Sequence, residues 1–178
     1  MMDLESQAEA LKFLSLNKGF LGREFLTWLW YFSESQNHQI HIPSLGQFKF
    51  YIDDKIVLVS SGGSVLESAL KGGTPAYAQE SVTALKSGKL IQEAKLVLQN
   101  ADHLWSWTLR GDDMTLRGLR LPSVQESDAF SHMQTRIRHL ETLNQVMEYL
   151  FNHYLSIRSS SKFSESCLQI QDWIRSKS

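Results

Sequence analysis

Between residues 89 and 122 the chain reads KLIQEAKLVLQ, HLWSWTLR and MTLRGLRLP, three strand-like runs separated by Ala101-Asp102 and by Gly111-Asp112-Asp113. Connections this short can only reverse the chain between neighbours, so the runs predict an antiparallel meander. In the first run Leu90, Ala94, Leu96 and Leu98 share one face and Glu93 and Lys95 take the other; in the second, Trp105, Trp107 and Leu109 share a face. One side of this sheet is therefore core, and a meander needs helices to cover such a side.

The helices are legible on both flanks. After Pro122-Ser123, the apolar series Phe130, Met133, Ile137, Leu140, Leu143, Met147, Leu150, Tyr154 and Ile157 recurs every three or four residues. That spacing predicts a helix of about thirty residues, roughly 45 Å long, which either crosses the whole sheet or projects to pair with a second copy, making a homodimer. Upstream, FLGREFLTWLWYFSE places Phe25, Trp28, Leu29 and Phe32 on one helical face. Trp30 and Tyr31 fall off that face, so this helix is covered on more than one side or offers aromatic surface to a partner. Leu4, Ala8, Leu11 and Leu14 predict a further helix at the start, ended by Asn17-Lys18-Gly19.

In the middle, QFKFYI alternates, Asp53-Asp54 is a turn candidate and KIVLVS follows, so residues 47–60 read as a hairpin. Residues 64–71 fit either a helical turn or a strand, and their length and flanking glycines favour the strand. Thr74-Pro75 opens a short helix from about Ala78 to Lys86, stopped by Ser87-Gly88. The expectation is an α+β domain over residues 1–158: an antiparallel sheet of hairpins and a meander, N-terminal helices and a long C-terminal helix. Residues 159–178 form a polar linker, RSSSK, and a last short helix carrying Cys167, Leu168, Ile170, Trp173 and Ile174.

Chemistry is sparse. Eighteen basic and nineteen acidic residues leave a net charge of -1, so any polyanion partner needs a local patch. A single Cys167 excludes an internal disulfide and a cysteine zinc site, and the acidic start and the lack of a ~20-residue apolar run predict a cytoplasmic protein with no membrane association. Neither His38 with His41 nor His132 with His139 has a carboxylate or cysteine at ligand spacing. No nucleophile setting or phosphate-cradling glycine motif is present, and the Asp53-Asp54 and Asp112-Asp113 pairs fit turn chemistry, so neither an enzyme, a cofactor nor a small-molecule substrate is expected. Arg110-Gly111-Asp112 spells an adhesion tripeptide whose place between two strands explains it as a turn. Lys86, Lys89, Lys95, Arg110, Arg117 and Arg120 fall in one region and could form a positive face, diluted by Glu93, Asp102, Asp112 and Asp113. Trp105 and Trp107 beside Arg110 match a base-stacking platform, but sharing a face with Leu109 they read as core.

GGTP, the short helix ending ALKSGKLIQEAKLVL, the Trp-containing strand, the Gly-Asp turn, LRGLRLP and the long helix together resemble the C-terminal half of the RdgC-like family of bacterial recombination-associated proteins. FLGREFLTWLWYFSE is similar to a segment upstream of that region, so the resemblance spans residues 19–155, with no counterpart of the family's preceding half. It implies a non-enzymatic protein that binds duplex DNA with little sequence preference, restrains recombinase action and acts at the nucleoid; full-length members are dimers that close a ring around DNA. On that basis Lys86, Lys89, Lys95, Arg117 and Arg120 are expected to contact phosphate. The alternative is a protein-interaction or structural module, with Trp30, Tyr31, Met133, Leu140, Met147 and Tyr154 as the partner or dimer surface.

Overall fold

The computed structural model describes residues 18–59, 68–71 and 79–177. The helix expected over Leu4 to Leu14 and the Thr74-Pro75 turn lie outside them. The described chain runs α1 (Lys18–Ser35), β1 (Gln39–Ile42), β2 (Gly46–Val59), β3 (Ser68–Lys71), α2 (Gln79–Lys86), β4 (Leu90–Asn100), β5 (His103–Arg110), β6 (Leu116–Arg120), α3 (Ala129–Arg158) and α4 (Phe163–Ser176). It is an α+β fold, as expected.

Six antiparallel strands form one open sheet in the order β1-β2-β4-β5-β6, and β3 pairs with the far half of β2, along the same edge as β1. The meander of β4, β5 and β6 follows the predicted turns, with Ala101 at φ 46° in the two-residue link. Residues 68–71 are a strand; 64–67 lie outside the description.

Two local readings are corrected. Residues 47–60 are not a hairpin: β2 runs unbroken through Asp53-Asp54, and Ile52 and Ile56 pair with Leu96 and Ala94, so Asp53, Asp54 and Lys55 bulge opposite Lys95 alone. An even number of extra residues keeps Phe48, Phe50, Ile52, Ile56 and Leu58 on one face. In β4 a second irregularity pairs Val57 with Glu93 but Leu58 with Ile91, leaving Gln92 as the extra residue. A one-residue bulge inverts the alternation, so Ile91 is buried where Leu90 was expected, and Leu90 is half-buried.

The aromatic helix α1 lies at the centre. Phe25, Leu26, Trp28, Leu29 and Trp30 are all buried, which requires cover on more than one side. The sheet supplies one side through Phe50, Leu96 and Leu98, and α3 another, with Phe151 edge-on to Phe25 at 5.1 Å and Tyr154 at 5.3 Å. Side chains of this size contribute about 1.5–3 kcal/mol each when fully buried.

Helix α4, expected beyond the domain's end at 158, docks on α1. Trp173 meets Trp30 edge-on at 5.5 Å and Tyr31 at 5.6 Å. The Glu34 carboxylate accepts from Trp30 Nε1 at 2.7 Å, Trp173 Nε1 at 3.1 Å and Lys177 Nζ at 2.6 Å. This fixes the off-face aromatics of α1 as internal contacts.

Two glycines bring α1 against the sheet. A methyl group on Gly22 would collide with the Gly111 carbonyl, and one on Gly111 would lie 2.8 Å from the Arg23 amide nitrogen. The start of α1 thus sits directly on the β5–β6 turn, where Arg23 pairs with Asp112 at 2.7 Å. At the far side of α2, Gly88 at φ 81° accepts the left-handed turn that ends the helix; its N–H donates to the Leu85 carbonyl at 2.9 Å and that of Lys89 to Ala84 at 3.1 Å. Among the described residues no helix is long and apolar enough to cross a membrane.

Candidate nucleic-acid interface

Strand register decides which charges meet. Directly opposed residues of antiparallel strands share a face, and Tyr51, Val97, Ser106 and Arg120 form one row across β2, β4, β5 and β6, with Lys95, Thr108 and Arg117 in the next. This is the side of the sheet opposite the aromatic core. Lys49, Lys55 and Arg110 emerge on it too, because they alternate with or lie opposite residues of the same rows.

Arg117 and Arg120 are three apart, and in a regular strand they would point to opposite faces. A bulge joins them: Thr108 pairs with Arg117 and Ser106 with Arg120, so Gly118 and Leu119 oppose Trp107 alone, with Gly118 at φ 59°. Both guanidinium groups are exposed on an edge strand.

Acidic partners temper this face. Lys95 Nζ is 2.9 Å from Asp53 Oδ2, Lys55 pairs with Glu93, and Arg110 lies 3.9 Å from Glu93, 3.8 Å from Asp112 and 3.6 Å from Asp113. Partial burial raises the Asp112 carboxyl, but hydrogen bonds from Gln92 and Arg23 and the charges of Arg23 and Arg110 outweigh it and hold the group below the usual carboxylate range. Tyr51, between Asp53 and Lys95, is raised by burial and by Asp53. The bulge in β2 creates the Lys95–Asp53 pair, so it has no signature in spacing alone.

Lys86 and Lys89 do not join Lys95, Arg117 and Arg120. Lys86 donates to the Lys177 carbonyl at 2.6 Å, and Lys89 lines an apolar cavity of about 300 Å³ with Trp28, Tyr154, Phe163 and Cys167, on the helical side. The lysines missed by sequence reasoning are Lys49 and Lys55; the alternation of Phe48 and Phe50 with Lys49 carried the signal for the first.

Of the expected partner surface, Trp30 and Tyr154 are buried and face no partner: Trp30 lies under Trp173, and Tyr154 donates to Glu24 Oε1 at 2.6 Å beside Arg158. Met147 is half-buried against the protein's own core, and half-buried Tyr31 meets Trp173 of α4. Met133 and Leu140 are exposed, together with Phe130 and Ile137. Trp105 and Trp107 are core residues and offer no stacking surface.

A polar cleft of about 460 Å³ lies between the β4–β5 turn, the segment before α3 and α3 itself, lined by Asp102, His103, Ser123, Gln125, Glu126 and His139. The His103 and His139 rings are 5.0 Å apart. Burial pushes the His139 imidazole down, as does His103, against the opposing pull of Glu126. Among the described residues no three metal-ligating side chains converge.

No protein-family model matches this chain, and no curated protein matches it.

Proposed function

We propose that the chain associates with duplex DNA through the charged face of its sheet, without sequence preference and without catalysing a reaction. The observation that carries this is the gathering of Lys49, Lys55, Lys95, Arg110, Arg117 and Arg120 on one face, with Arg117 and Arg120 exposed at its edge. Cations on a rigid sheet position a backbone of phosphates and carry no base readout. The resemblance to RdgC-like proteins supports the same reading, with a role in limiting recombinase access in the cytoplasm, on the nucleoid.

Affinity for a mixed-sequence duplex should fall steeply with salt, and the slope of log K against log salt should drop by about one for each of Arg117→Glu and Arg120→Glu that removes a phosphate contact. Lys86→Glu, on the helical side, should leave it unchanged. Absence of binding at low salt would sink the proposal, and equal loss from Lys86→Glu would move the contact to the other side of the molecule.

A second reading, a protein-interaction module that includes the dimer, is favoured by the exposed apolar stripe of Phe130, Met133, Ile137 and Leu140 on α3. Its mark is an assembly that forms without DNA and persists in salt.

A further inference from the structure

Helix α3 carries two stripes. His139, Leu143, Val146, Leu150 and Tyr154 face the protein's own core. Phe130, Met133, Ile137 and Leu140 lie roughly 120° around the helix from them, and they are 62, 54, 45 and 43 % exposed. Four large apolar side chains in a row, at spacings of three, four and three, follow the a and d positions of a heptad repeat. Further along, the next a position is Asn144, polar and exposed, and the positions after it hold Met147 and Phe151, which α1 and the core cover. The open seam is therefore confined to the first three turns.

We infer that these turns pair with the same turns of a second copy, in parallel, as a short two-stranded coiled coil. Charge decides both occupant and direction. Arg136 is at position g and Glu141 at position e of the following heptad, and both are exposed. In a parallel pair g faces e five residues on, so Arg136 meets Glu141 of the second copy, and two-fold symmetry makes the contact twice. An antiparallel pair would bring the two Arg136 side chains together across the seam, a like-charge contact. Ile137 at a with Leu140 at d is the combination that favours two parallel strands. The seam is independent of the charged sheet face and deepens the interaction reading of α3.

The test uses the full chain with Cys167→Ser. Met133→Cys alone should oxidise to a covalent dimer, because in a parallel pair position 133 faces itself; sedimentation of the unsubstituted chain should show concentration-dependent dimers without DNA. Arg136→Glu or Glu141→Arg should each weaken association about tenfold, and the two together should restore it. These positions are on the surface, and circular dichroism verifies that each variant folds. A chain that stays monomeric at all concentrations overturns the inference. So does cross-linking only when Met133→Cys is mixed with Ile137→Cys, the antiparallel result, or a double reversal that fails to restore pairing. Dimerisation that survives Arg117→Glu with Arg120→Glu separates this outcome from the fate of DNA binding.

Discussion

Trp105 and Trp107 share a strand face and a buried environment, yet their indole N–H groups end differently. Trp105 Nε1 donates to the His139 carbonyl at 3.0 Å, whereas Trp107 Nε1 finds no acceptor among the described residues. Phenylalanine at either position loses similar volume, but only Trp105→Phe gives up a buried hydrogen bond, so it should cost about 1 kcal/mol more than Trp107→Phe in urea unfolding. Alternation in HLWSWTLR made both residues legible as core; which of them has an acceptor depends on α3, thirty-four residues away. His139 provides a pH test. Burial first, and His103 second, hold its imidazole below the ordinary value of 6.5, so the unfolded chain takes up a proton before the folded one does. Its contribution to stability is complete above that value and is lost as pH falls through the folded one. The unfolding midpoint should drop as the pH falls below the ordinary histidine value of about 6.5, and His139→Gln should flatten the drop.

At the scale of elements, the helices and the meander could be read because their periods run over many residues. The errors cluster where the strand register breaks. Asp53-Asp54 suits a turn and a bulge equally, and what selects the bulge is Lys95 on the neighbouring strand, a contact invisible in the local sequence. The docking of α4 was equally hidden, since RSSSK looks like a linker; the helix is held by Glu34, a residue whose position near the end of α1 gave no hint of three donors. Glu34→Ala should cost about 2 kcal/mol and release α4. Limited proteolysis should then cut at Ser159 to Lys162, and Trp30 should become accessible to acrylamide; an unchanged digestion pattern would show that apolar packing alone retains the helix.

At the scale of the molecule, the described residues form a sheet with one face given to helices and aromatics and the other to charge. Much of that division followed from alternation; the placement of Ile91 and Leu90, the Lys95–Asp53 pair and the joining of Arg117 to Arg120 rest on bulges at Gln92, at Asp53 to Lys55 and at Gly118. A ligand on the charged face stays remote from Trp28, Trp30, Trp105 and Trp107, all of them buried on the helical side. Saturating duplex DNA should therefore leave tryptophan emission unshifted and unquenched, and quenching would point to base stacking instead. The Gly22–Gly111 contact bears on kinship. Two backbones that touch leave no room for a side chain on either partner, so any relative that keeps this close approach of helix to turn is expected to carry glycine at both positions together.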